Sequence, residues 1–272
     1  MSVSGDLGRL EAIVAGYGPT ITAFSGGVDS TLVAVIAARV HGERALAVTG
    51  VSGSLASSER DHAEAIAKQL GLRHRLLDTH ELERPGYQAN AGDRCYHCKT
   101  ELFERLSVLA ADEQFSAVAS GDNLDDLGGH RPGLQAAAEQ GVRKPLVEAG
   151  MGKDQIRALA RELGLPNHEK PASPCLASRV PHGTRVDART LVQIEQAEAG
   201  LRALGFAELR VRHHGELARI ELPTGDLARA LESRHALIAA VKRAGYLFVT
   251  LDLAGFRSGS LEVLLRKDGT RG

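Results

Sequence analysis

Ser25-Gly26-Gly27-Val28-Asp29-Ser30 follows a short apolar, β-rich run at 20–24 and opens an apolar helical run that continues to residue 40. Strand, glycine turn and helix in that order build an anion site. Two glycines permit positive φ, so that successive backbone N–H groups and the start of the helix converge on a phosphate. Ser25 and Ser30 add hydroxyl donors. The loop lacks the Gly-Lys-Ser/Thr ending that sets a lysine against the outer phosphates in Walker-type NTPases, so a different phosphate chemistry is expected. The plain alternative is a glycine turn in which Asp29 or Ser30 caps an ordinary helix.

Working outward, helical periodicity covers 7–17, and further strand-like runs lie at 45–49, 74–77 and 116–120. Between them, Ser57-Ser58-Glu59 caps an amphipathic helix ending near Leu70-Gly71, and a second helix is predicted over 99–111. Strands separated by helices imply parallel crossovers, hence an α/β fold: a doubly wound parallel sheet with its ligand site at the carboxyl ends of the strands. Residues 121–133 are rich in glycine and aspartate, and a helix follows at 154–163. Pro171, Pro174 and Pro181 break the stretch 167–184, which places a domain boundary there. The expected domains are 1–184, carrying the phosphate loop, and 185–272. The second reads as a smaller C-terminal α+β domain: helix 187–204, strands 209–213 and 217–222 around His214-Gly215, helix 227–243 and strand 247–251. His213 and His214 read as turn residues.

The chain has 272 residues with 33 basic and 34 acidic side chains, so no overall field recruits nucleic acid or a membrane surface. Residues 1–10 lack the apolar core of a secretory signal. The most apolar late stretch, 237–256, is interrupted by Lys242, Arg243 and Asp252, which argues against a membrane span. A cytoplasmic location is the expectation.

Three cysteines without an export signal do not read as a disulfide framework. Cys95 and Cys98 form Cys-Tyr-His-Cys just before a predicted helix, and Cys175 lies in Lys170-Pro171-Ala172-Ser173-Pro174-Cys175-Leu176-Ala177-Ser178-Arg179. A two-residue gap lets two sulfurs face one metal, and a third thiolate leaves one position open for chemistry. A [4Fe-4S] cluster with one exposed iron fits that pattern. So do zinc with His97 or another histidine as fourth ligand, a redox-active Cys95-Cys98 pair, and three unrelated buried thiols.

The phosphate loop resembles that of the ATP-pyrophosphatase superfamily, whose members split ATP between the α and β phosphates to adenylate an acceptor. Adding Ser120-Gly121-Asp122-Asn123 with Asp125-Asp126, Arg131-Pro132-Gly133, the loop around Cys175 and the tail Asp252-Leu253-Ala254-Gly255-Phe256-Arg257-Ser258-Gly259-Ser260, nearly the whole chain resembles the LarE family. These are ATP-dependent sulfur transferases that make the nickel-pincer nucleotide cofactor of lactate racemase. The resemblance implies that a carboxylate of a pyridinium biscarboxylic acid mononucleotide is activated as an acyl-adenylate, and that sulfur then displaces AMP. Backbone amides at Gly26-Gly27 and a Mg²⁺ ion would share the phosphate charge, with Asp29 and Asp125 as candidate ion ligands. For any single carboxylate of the 122–126 run, a solvated acidic turn is the competing reading.

Family members with only the cysteine corresponding to Cys175 sacrifice its sulfur, whereas those with three resemble cluster enzymes. Cys95 and Cys98 put this chain in the second group, with a sacrificial Cys175 as the alternative. Arginines suit a phosphate and two carboxylates. Arg179 follows Cys175, Arg210 and Arg212 alternate on one strand face toward a common anion, and Arg257 lies in the tail; surface ion pairs are the competing fate. The resemblance also implies a homo-oligomer, a sulfide donor and a downstream nickel-insertion protein. Two rivals remain: a tRNA thiolase with the same loop and a cluster, which should carry a basic, aromatic-bearing RNA surface, and a non-catalytic nucleotide-binding sensor with a structural metal. An amidotransferase-type ligase would need a glutaminase domain and leaves the cysteines unexplained.

Overall fold

The computed structural model describes residues 3–128, 132–171 and 173–257. Arg131, Ala172 and 258–260, which belong to the quoted patterns, lie outside them. In chain order the elements are α1 (Val3–Ala15), β1 (Thr20–Ala23), α2 (Val28–His41), β2 (Ala45–Val51), α3 (Ser57–Gln69), β3 (His74–Asp78), α4 (Pro85–Ala89), α5 (Arg94–Asp112) and β4 (Ala117–Ala119). Then come α6 (Pro132–Glu139), α7 (Pro145–Glu148), α8 (Lys153–Glu162), α9 (Ala188–Ala203), β5 (Arg210–His214), β6 (Leu217–Glu221), α10 (Leu227–Glu232), α11 (Arg234–Arg243) and β7 (Phe248–Leu251). No helix among the described residues is long and apolar enough to cross a membrane.

The chain forms two compact units, one of 1–81 with 93–173 and one of 82–92 with 174–272. The division after Ser173 precedes the expected one at 184, and α4 joins the second unit. The reason is visible in hydrogen bonds: buried Asn90 donates to the carbonyls of Pro181 (2.8 Å) and Thr184 (3.1 Å), and Val186 N–H donates to Gln88. Residues 174–186 are thereby tied to α4.

In the first unit, four parallel strands run in the order β3-β2-β1-β4, as the alternation predicts. The inner strands β1 and β2 are buried on both faces, whereas edge strand β3 stays partly exposed. Ile21, Leu46, Val48 and Val118 meet Phe103 and Leu106 of α5, while Ala45 and Ala119 meet the Leu32, Val33 and Ile36 side of α2 with Leu10, Ile156 and Leu159. Alternate side chains on a strand point to opposite faces, so helices cover both sides of the sheet.

The second unit has a three-stranded sheet, β5-β6-β7, with an antiparallel hairpin and β7 parallel to β6. Leu201, Phe206, Val211, Ile220, Val241 and Tyr246 form its core. Four sequence expectations need correction. Ala56, not Ser57, is the N-cap of α3. The helix expected from 99 begins at Arg94, so the cysteine pair lies within α5. The helix expected over 227–243 is interrupted at Ser233. His213 and His214 belong to β5, and His213 is buried, its Nδ1 3.1 Å from the Tyr246 hydroxyl.

Candidate active site

The phosphate loop leaves the carboxyl end of β1, the central position of the sheet, and enters α2. Its two glycines differ. Gly26 has φ +69, and a Cβ there would lie 3.0 Å from Ala63 Cα, so both conformation and contact require glycine. Gly27 has φ −78 and ψ 161, extended backbone open to any residue, and a Cβ would meet only Ser25 Oγ at 3.4 Å. The expectation of positive φ at both therefore holds for Gly26 alone.

Ser30 braces the loop from within. Its Oγ accepts from Ser25 N–H (3.2 Å), donates to the Gly27 carbonyl (3.1 Å) and lies 3.1 Å from Ser25 Oγ. Ser25 is exposed, and Gly27 N–H has only a long bond to Ser25 Oγ at 3.4 Å. The outward donors are thus Gly27 N–H, the Ser25 hydroxyl and the first N–H groups of α2, which a helix leaves without intrahelical acceptors.

Asp29 accepts from Asn123 Nδ2 at 3.0 Å. Burial pushes its carboxyl upward, the Asn123 bond opposes that, and the nearby Asp126 charge adds to the rise. Asp125, the expected second ion ligand, is turned elsewhere: its Oδ2 accepts from Lys153 N–H at 2.6 Å, at the start of α8. The carboxylate whose charge reaches Asp29 is Asp126. Asn123 organises this corner by accepting from Asp125 N–H (3.0 Å) while its own N–H donates to Asp126 (3.3 Å). Gly121 lets the end of β4 touch α2, since a Cβ would stand 2.7 Å from Ser30 N. Sequence reasoning quoted Asn123 and Asp126 as part of a pattern without giving either this role; the Asn-Leu-Asp-Asp spacing of a capping box is the signal for the turn.

Cys95 and Cys98 sit in the first turns of α5, three residues apart and so on one helix face. No cysteine forms a disulfide; Cys95 is exposed and Cys98 half-buried. His97 Nε2 lies 3.2 Å from Asp93 Oδ2. The cysteine pair belongs to the first unit and Cys175 to the second. Among the described residues, no group of three or more His, Cys, Asp or Glu side chains is placed to hold a metal ion.

In the second unit Cys175 opens a 3-10 turn, Leu176–Arg179, and its carbonyl accepts from Ser178 N–H at 2.9 Å. Buried Arg179 pairs with Glu198 through two bonds (2.8 and 3.1 Å) and donates from Nη1 to the carbonyls of Pro174 (2.7 Å) and Cys175 (3.1 Å) and to Ser178 Oγ (2.9 Å). That guanidinium braces the Cys175 turn. Burial pushes Glu198 up, but Arg179, the Val211 N–H and Arg202 outweigh it and hold the carboxyl below its usual range. Arg212 pairs with buried Glu221 (2.8 and 3.0 Å) and donates to the Ser178 carbonyl at 2.9 Å.

Arg210 differs from both. It stacks over Phe256 at 5.0 Å, bonds the Leu209 carbonyl, and has no ion pair among the described residues. Burial and the neighbouring Arg179 charge push it down to about 10. Arg257, next to Phe256, is exposed. Of the predicted cations, Arg179 and Arg212 are spent in ion pairs inside the unit, whereas Arg210 and Arg257 have no ion pair among the described residues.

A glycine cradle between β1 and α2, with two carboxylates beside it, defines a nucleotide-binding protein of the phosphate-loop ATP pyrophosphatase class. The family model for asparagine synthase matches residues 14–86, the span holding this loop. The chain is 39% identical, over 90% of its length and 89% of the relative's, to pyridinium-3,5-bisthiocarboxylic acid mononucleotide synthase of Lactiplantibacillus plantarum. It belongs to that synthase's family, LarE. It is also 44% identical to the uncharacterized protein slr1717 of Synechocystis sp., over 91% of this chain and 93% of that protein. A tRNA-specific 2-thiouridylase of Azorhizobium caulinodans is 31% identical over 66% of this chain and 55% of its own.

Proposed function

We propose that this protein is an ATP-dependent sulfur transferase that converts the carboxylates of pyridinium-3,5-biscarboxylic acid mononucleotide to thiocarboxylates. The observation that carries the reading is the cradle itself: an outward Gly27 N–H and helix start, flanked by Asp29 and Asp126, in a chain similar to the synthase over nine-tenths of both lengths. A substrate carboxylate oxygen attacks the α-phosphorus, the bond to the bridging oxygen breaks, and pyrophosphate leaves. Hydrosulfide then attacks the acyl carbon and AMP departs with the shared oxygen. The cradle's donors take up charge on the leaving phosphates. Asp29 and Asp126 suit Mg²⁺, a hard cation bound through one or two carboxylates and phosphate oxygens, which supplies Lewis-acid charge. Arg210 and exposed Arg257 are the cations that remain for the anionic groups of substrate and nucleotide.

For the sulfur source, we propose that Cys95, Cys98 and Cys175 would hold a [4Fe-4S] cluster, whose fourth iron would carry sulfide. The reading includes self-association, a sulfide donor and a nickel-insertion protein that takes the product. The first test is incubation with ATP, Mg²⁺, sulfide and the biscarboxylic mononucleotide: AMP, pyrophosphate and a thiocarboxylate product are expected, and absence of pyrophosphate refutes the reading in favour of a nucleotide sensor. The second is iron and sulfide analysis of protein purified without oxygen. Brown protein that bleaches on Cys95→Ala supports the cluster; stoichiometric zinc, or loss of H₂S mass from Cys175 after turnover, overturns it.

A further inference from the structure

Behind the phosphate loop, two side chains far away in sequence converge on Gly26. Buried Asn167, in the turn after α8, donates through Nδ2 to the Gly26 carbonyl at 2.9 Å and to Thr31 Oγ1 at 2.9 Å. From the other side, the ring of His62 on α3 comes within 3.3 Å of the position a Gly26 Cβ would take. His62 Nε2 is covered by protein and makes no hydrogen bond among the described residues. Burial, and then the Lys170 charge, push the imidazole pKa down against the pull of Glu59. A carbonyl has two lone pairs, and Asn167 occupies one.

Peptide geometry turns this anchorage into function. In a trans peptide the C=O of one residue and the N–H of the next point in opposite directions across a plane. Holding the Gly26 carbonyl inward therefore aims Gly27 N–H outward, toward the position of a phosphate. The loop's own sequence supplies the freedom for that orientation, through Gly26, but nothing in it selects the orientation.

We propose that Asn167 and His62 are positioning residues for ATP: a two-sided clamp on the Gly26 carbonyl that fixes the Gly27 amide as a phosphate donor, with His62 Nε2 available for the second lone pair. This rests on the ATP reading above. Neither side chain contacts the nucleotide in this scheme, and both act through one peptide plane.

The test is calorimetric titration of ATP into the full chain, with thermal melting of each variant in the absence of nucleotide. Asn167→Ala should raise Kd for ATP about tenfold, the size of one buried hydrogen bond. His62→Gln, which keeps an N–H near the Nε2 position, should bind ATP like wild type, whereas His62→Leu, similar in bulk without a donor, should weaken it several-fold. A folded Asn167→Ala protein with wild-type affinity overturns the clamp, as does equal binding by His62→Gln and His62→Leu. Should Asn167→Ala fail to fold, the His62 pair decides alone. Wild-type protein that does not bind ATP removes the reading beneath the proposal; wild-type binding with indifferent variants removes only the clamp.

Discussion

Gly27→Ala separates two reasons for a glycine in the loop, backbone freedom and room for a ligand. At φ −78 and ψ 161 alanine is unstrained, and its methyl would meet only Ser25 Oγ at 3.4 Å. Restricting the unfolded chain contributes about 0.4–1 kcal/mol in favour of alanine. Glycine's better fit to the helix N-cap offsets part of that. The net change should stay within about 1 kcal/mol, a melting shift of roughly 2–4 °C or less for a chain of this size. A methyl on the face that receives phosphate is a different matter. If overpacking there costs about 1–3 kcal/mol, as in a filled core, Kd for ATP rises roughly 5- to 150-fold. Gly26→Ala makes the contrast: φ +69 alone costs an L-residue about 1–2 kcal/mol, and the 3.0 Å approach to Ala63 adds to it. Calorimetric ATP titration and melting curves on the two variants are the assay. Gly27→Ala protein that binds ATP as tightly as wild type would refute the placement of phosphate over this amide.

Three further outcomes follow from the second unit. Glu198→Ala strands Arg179 and Arg202 without their buried acceptor and should cost roughly 3–5 kcal/mol in urea unfolding; removing Arg179 as well, as Arg179→Met, should recover part of that loss in a double-mutant cycle. The Glu198 carboxyl is held below its ordinary value of 4.5, so its contribution is complete above that pH and is lost as pH falls through the lower folded value. The stability gap between wild type and Glu198→Gln should accordingly narrow below about pH 4. Arg210→Gln should leave melting unchanged or slightly raised, because no carboxylate loses a partner, while KM for the mononucleotide rises about tenfold or more; an unchanged KM would move substrate recognition elsewhere.

Much of the frame was legible because its signals are local. Four β-rich runs separated by amphipathic helices prescribe parallel crossovers, and the structure has them in the order β3-β2-β1-β4. A glycine pair between strand and helix marks the loop, but sequence cannot say which glycine turns left-handed, since Ala63 decides that from α3. The start of α5 was hidden because Cys95, Tyr96 and His97 have middling helix propensity. That Asp125 rather than Asp126 meets α8 was equally hidden: adjacent aspartates look alike until the start of α8 arrives to take one of them as an acceptor. Arg179, Arg210 and Arg212 are equally cationic on paper; only Glu198 and Glu221, brought in by folding, single out Arg179 and Arg212 as paired braces. Asn167 gave no local sign, as its partner Gly26 is 141 residues away.

The excursion of 82–92 into the second unit has a bearing on how the protein is made. Asn90 leaves the ribosome long before Thr184, 94 residues downstream, whose carbonyl it bonds. The early-made piece must wait, with α5, β4 and the helices after it emerging in between, before its own unit can close. A fragment beginning at 174 would lack Gln88 and Asn90 and so leave the Val186 N–H and the carbonyls of Pro181 and Thr184 without them. The smaller unit therefore closes only after the elements through β7 have been made, and a useful truncation must retain α4.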